Sequence, residues 1–202
     1  MKICIVGHGP SLKGAGLGKQ IDSHDKVVRL KGSHTVLWTN DYGSRTDALC
    51  ASTEIMGVFF KQEAEEYWAY PKNGDYDRRT AIMALEKLQK PIMIPLKFVN
   101  HWNTYFRQMG AKHPNVSTGM GAVLIAIHRW RPEKIVLAGF DTLMNPETEF
   151  SRHDSIPRSG FGPYPNHDWE KENKLIPILE QTYNLKIEEL CTHQSLPLSS
   201  NG

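Results

Sequence analysis

The chain opens on Lys2-Ile3-Cys4-Ile5-Val6, a short β-branched apolar run that breaks at once into Gly7-His8-Gly9-Pro10-Ser11-Leu12. A strand that is apolar at successive positions is buried on both faces, as in a parallel sheet covered by helices on both sides. A glycine-rich turn directly after it is how a doubly wound α/β sheet begins. Apolar runs recur at Lys26–Leu30, Ala48–Ser52, Ile92-Met93-Ile94, Lys134–Asp141, which again closes on glycine and an acid, and Leu185-Lys186-Ile187, all read as strands. Residues 54–70, mixed and aromatic, read as a helix. Residues 76–90 read as another, with Ile82, Leu85 and Leu88 at roughly helical spacing and Pro91 as the stop. Ser117-Thr118-Gly119 opens an apolar helix that runs through His128 and ends before Pro132. Residues 167–182 read as the last helix. Strands alternating with helices imply an α/β fold: one Rossmann-like domain over residues 1–190, its mostly parallel sheet carrying helices on both faces. Residues 191–202 read as a frayed tail. Residues 142–166, rich in Pro, Gly, Ser and Asn, form a stretch of the length at which a mobile lid is expected.

Composition narrows the function classes. Hydrophobic residues make up 40% of the 202 and charged residues 23%, which excludes a disordered chain. A formal charge of +2 does not by itself call for nucleic acid. Arg78-Arg79 and Arg129-Trp130-Arg131 offer only small basic patches. No apolar run approaches the roughly 18 residues of a membrane span, and the first apolar run meets glycine too soon for a signal-peptide core. The three cysteines, Cys4, Cys50 and Cys191, have no CxxC spacing, which argues against a disulfide framework and a structural zinc site. The expectation is a soluble, cytoplasmic protein without a membrane span.

In a doubly wound sheet, ligands bind beyond the carboxyl ends of the strands. Three polar, glycine-bearing segments fall there: Gly7-His8-Gly9-Pro10-Ser11, Ser117 to Gly121, and Gly139-Phe140-Asp141. The first lacks the full GxGxxG spacing and has no GK[ST]. Its glycines still let backbone amides approach a ligand. Ser117-Thr118-Gly119 sets two hydroxyls and free amides at the positive end of a helix dipole, which makes an anion site. Together they favour a nucleotide or another phosphate ligand. His167, followed by Asp168, Glu170 and Glu172, is a candidate general base. A metal set of His153, Asp154, His167 and Asp168 lacks the HxH or HExxH spacing that would support it, so no metal is expected. Trp68 and Tyr70 are candidates for stacking on a sugar or base, or for the core.

Taken in order, these segments resemble the sialyltransferase motifs of glycosyltransferase family 29. The first motif is matched by Cys4-Ile5-Val6-Gly7-His8-Gly9-Pro10-Ser11-Leu12-Lys13-Gly14, Gly18, Ile21-Asp22-Ser23-His24-Asp25, Val28-Arg29 and Asp41-Tyr42-Gly43-Ser44-Arg45-Thr46. The second is matched by Val116-Ser117-Thr118-Gly119-Met120 and Gly139-Phe140, and the last by His167 and Glu172. His153 stands about where the family has its third-motif histidine. The resemblance implies a single Rossmann-like domain, a variant of the GT-A type, with a lid at about 142–166. It implies an inverting, metal-independent transferase with no cofactor, whose partners are a CMP-sugar donor and a glycan or other hydroxyl acceptor. His167 would be the base, with His153 stabilising the departing phosphate and Glu172 completing the catalytic set. Gly7, His8, Gly9, Pro10, Ser11, Arg29, Lys31, Ser117, Thr118, Gly119 and Asp141 would line the nucleotide-sugar site. His8 and Lys31 stand where the family usually has asparagine, and either can meet a phosphate or a different sugar nucleotide. Other readings remain open: a nucleotide-binding member without catalysis, or a transferase acting on a modified DNA base. Cys4 takes a first-motif position whose disulfide partner would lie near Trp130. Its loss, together with a missing anchor and stem, suggests a microbial or viral minimal form.

Overall fold

The computed structural model describes residues 1–30, 38–52, 63–71, 92–93, 95–144 and 167–190. Among them, seven strands form one sheet: β1 (Lys2–Val6), β2 (Lys26–Leu30), β3 (Ala48–Ser52), β4 (Glu66–Tyr70), β5 (Ile92–Met93), β6 (Lys134–Ala138) and β7 (Lys186–Glu189). Their order is β5-β4-β3-β2-β1-β6-β7, and every neighbouring pair is parallel. Cys4 sits opposite Val27 on one side and Val136 on the other, so β1 is central. The helices are α1 (Gly18–Asp22), α2 (Thr39–Tyr42), α3 (Leu96–Gln108), α4 (Thr118–Trp130), α5 (Asp141–Met144) and α6 (Trp169–Tyr183). No described helix is long and apolar enough to cross a membrane.

Side-chain alternation divides the core in two. Ile3, Ile5, Val28, Leu30, Ile135 and Leu137 point to the face covered by α3, α4 and α6. Cys4, Val6, Val27, Val136 and Ala138 point to the other face, against Leu12, Ile21 and Tyr42. The first layer is the larger because α4 is buried from Thr118 through Ile127. Each large aliphatic side chain sealed there contributes about 1.5–3 kcal/mol over an exposed one. Arg131 ends α4 in the left-handed conformation at φ 46° before Pro132.

One expectation is corrected. Residues 66–70 form β4, not the end of a helix, because Tyr67, Trp68, Ala69 and Tyr70 are all sealed between layers. Trp68 and Tyr70 are therefore core residues. Cys4 faces away from α4, whereas Trp130 packs on the α4 side at 4.5 Å from Trp68. A bridge from Cys4 to that helix would have to cross the sheet. Burial instead pushes the Cys4 thiol up to about 12. The proposed helix at 76–90, the lid from residue 145 onward and the tail at 191–202 lie outside the described residues.

Candidate active site

The strand order fixes where a ligand can sit. After β1 the chain leaves through α1 on one face, and after β6 it leaves through α5 and α6 on the other. The crevice at their carboxyl ends is the switch point of the sheet, where open α/β sheets bind ligands. The two turns are laced across it. Gly7 N–H donates to Ala138 O at 2.7 Å and Gly9 N–H to Gly139 O at 2.9 Å. Ser11 donates twice to Asp141, its hydroxyl to Oδ1 at 2.5 Å and its amide to Oδ2 at 3.1 Å. The Asp141 carboxyl lies so close over Gly9 that a Cβ there would sit 2.5 Å from Oδ1, which only glycine permits. Tyr42 reaches in from α2, donating its hydroxyl to Gly9 O at 3.3 Å. His8, half-buried, occupies the turn between the two glycines.

The start of α4 reaches the same edge, with the Phe140 ring against Gly119. Ser117 caps the helix by accepting Met120 N–H at 3.1 Å. Its own donors go to Glu172 of α6, amide to Oε1 and hydroxyl to Oε2, each at 2.6 Å. Glu172 is fully buried. The next two amides, Thr118 and Gly119, belong to a helical first turn and have no intrahelical acceptor. Thr118 is 3% exposed, and its Oγ1 has no partner among the described residues. Donors without acceptors at the positive pole of a thirteen-residue helix suit an anion.

The Glu172–Ser117 contact brings the start of α6 to the start of α4. Asp168 caps α6, accepting Lys171 N–H at 3.3 Å, and also takes Lys112 N–H at 3.1 Å from the segment before α4. His167 precedes it, half-buried, with its ring 4.6 Å from that of Trp169. The structure thus gathers Gly7, His8, Gly9, Pro10, Ser11 and Asp141 at the carboxyl ends of β1 and β6, with Ser117, Thr118, Gly119 and Glu172 at the adjoining start of α4 and His167 just before α6.

Arg29 sits differently. It is fully buried on the α1 side, where Nε donates to Arg45 O at 2.9 Å and Thr46 Oγ1 at 3.1 Å and Nη1 to Tyr42 O at 2.8 Å. Nη2 lies 3.6 Å from Asp22. Burial lowers the guanidinium to about 10, with Asp22 opposing that shift. Other charged residues of the first motif also brace this side. Asp41 accepts Gly14 and Gly16 N–H at 2.8 and 2.9 Å, and Asp22 accepts Ser44 and Arg45 N–H at 2.7 and 3.0 Å. Lys31 and His153 lie outside the described residues, as do Arg78 and Arg79. Arg129 is paired with Glu66 at 3.1 Å. Asn103 of α3, a buried polar residue behind the α4 start, was not legible in the sequence.

Residues 1–183 match the family model of glycosyltransferase family 29 (sialyltransferase). The alpha-2,8-sialyltransferase 8E of Rattus norvegicus is 25% identical over 194 residues, covering 82% of this chain and 50% of its own length. That of Mus musculus is equally similar, with 46% of its length covered. The chain therefore spans about half the length of these curated relatives. A crystal structure of a mammalian sialyltransferase superposes with TM-score 0.59 at 20% identity, covering 92% of this chain and 68% of that one. One in complex with Gal-beta-1-3GalNAc-ortho-nitrophenol superposes with TM-score 0.54. With its motifs in order along one parallel sheet, the chain belongs to glycosyltransferase family 29, the sialyltransferases.

Proposed function

We propose that this chain transfers sialic acid or a related keto-sugar from a CMP-activated donor to a hydroxyl acceptor, with inversion and without a metal ion. The observation that carries the reading is the unmet donor set at the start of α4, Thr118 Oγ1 with the Thr118 and Gly119 amides, beside the switch-point crevice. A nucleotide phosphate suits this set, and membership of the family supports a CMP-sugar as its source. Gly7 to Ser11 and Asp141 would border the nucleotide. His167 would remove the acceptor proton. The freed oxygen would bond to the anomeric carbon as the carbon–oxygen bond to phosphate breaks, and CMP would leave with the electron pair. Donors already held in place stabilise that charge without reorganising. His153 would assist the leaving phosphate, and Lys31 or His8 would add a cation or a donor near it.

Incubation with CMP-sialic acid and a glycan panel tests the activity, with calorimetry of CMP binding alongside. Transfer that survives EDTA is expected. Absence of both CMP binding and turnover would sink the reading, whereas CMP binding without turnover would leave a nucleotide-binding member of the family. The paired state of Arg129 gives no support to a DNA acceptor.

A further inference from the structure

Three parts of the fold meet behind the start of α4. Tyr70 closes β4, and its ring lies against α4 so tightly that a Cβ on Gly121 would sit 2.4 Å from Tyr70 Cδ2. The buried hydroxyl donates to Asn103 Oδ1 on α3 at 3.1 Å. The same oxygen accepts Val116 N–H at 3.2 Å. A backbone N–H can only donate, so the amide orientation of Asn103 is fixed by chemistry. Its Nδ2 is left buried, without an acceptor among the described residues.

That arrangement has a cost. An unpaired buried amide is unfavourable, and a leucine of similar shape would avoid it. Leucine would, however, strand both Val116 N–H and the Tyr70 hydroxyl. The asparagine thus favours a defined position for Val116, one residue before the capping Ser117. Val116 is held from α3 and Ser117 from α6, so the 116–119 turn is braced from two helices. The amides that follow are aimed by that brace.

We propose that Asn103 is a positioning residue for the anion site: with Tyr70 it holds the 116–119 turn in the shape that receives a nucleotide phosphate. This rests on the proposed nucleotide reading of that site. The brace acts on the turn that carries the Thr118 and Gly119 amides, so its effect is expected on the phosphate of a nucleotide rather than on the base.

Calorimetry with CMP and with cytidine separates this from a general effect on folding. Asn103→Leu should weaken CMP roughly tenfold, the usual scale when a bond is lost and a buried donor stranded, and leave cytidine unchanged. Tyr70→Phe keeps the packing on Gly121 and removes one donor, so it should weaken CMP severalfold with cytidine again unchanged. It carries the test if Asn103→Leu does not fold. CMP binding at wild-type strength in the folded variants would overturn the inference, as would equal losses for CMP and cytidine. A wild-type chain that binds neither ligand would instead overturn the nucleotide reading.

Discussion

Glu172 and Ser117 are joined by two 2.6 Å hydrogen bonds, the serine amide donating to one carboxyl oxygen and the serine hydroxyl to the other. Both residues are buried, and both oxygens of Glu172 are spent on the serine that caps α4. Glu172 thus acts on the helix start, which makes it a positioning group for the proposed phosphate site. Glu172→Gln offers one acceptor oxygen to two donors and should cost about 1–3 kcal/mol of stability. CMP affinity should fall by about tenfold, the same scale expressed as binding. The pH–rate profile should keep its shape while the rate drops. A lost limb of that profile would instead make Glu172 the proton-transfer group.

His167 sits one residue before the cap of α6, on the same segment that Asp168 pins to Lys112. If its imidazole takes the acceptor proton, His167→Ala should lower kcat by roughly 10²–10⁴. CMP affinity should not change, because the donors at the start of α4 are untouched. Single-turnover kinetics with matched calorimetry checks both. Full activity in the variant would remove His167 from the mechanism.

Legibility in the sequence followed distance along the chain. β1, β3 and β6 were visible because burial on both faces leaves a nearly continuous apolar run, β2 because Val27, Val28 and Leu30 flank a single charge at Arg29, and α4 because Ser117 announces its cap. β4 misled because Tyr67-Trp68-Ala69-Tyr70 has neither a two-residue nor a helical period when every position is buried. α3 was missed although Val99, Trp102 and Phe106 recur on one side. Asn100, His101, Asn103 and Thr104 dilute that stripe, and nothing local marks Asn103 as buried. The partnership of Glu172 with Ser117 spans 55 residues, so the spacing of His167 and Glu172 pointed to the site without revealing what the glutamate holds. Arg29 was legible only as a positive charge in a motif; the carbonyls that absorb it belong to the fold.

Tyr42 links the site to alkaline stability. Burial chiefly, then the Asp141 and Asp41 carboxyls, push its phenol from 10.0 up to about 12. Between those values an unfolded chain has released this proton and the folded chain has kept it, so stability falls as pH rises through the window. The slope for one such group is about 1.4 kcal/mol per pH unit. Tyr70, raised by burial too, contributes in the same direction and remains in a Tyr42 variant. Urea midpoints at pH 9 and pH 11 should therefore converge in Tyr42→Phe relative to wild type. Equal losses in the two proteins would refute the assignment.

Arg29 separates a scaffold role from a ligand role. Its guanidinium is fully buried and donates to the carbonyls of Tyr42 and Arg45, which turn the chain between α2 and β3. Arg29→Met fills similar volume but strands those carbonyls and removes the ion pair with Asp22. The expected loss is about 3 kcal/mol. For a chain of this size that is a fall in Tm of roughly 10 °C. CMP should bind the folded variant as tightly as wild type, since neither the α4 start nor the Ser11–Asp141 tie is altered. A variant of normal stability that has lost CMP would show that the buried guanidinium serves the nucleotide instead.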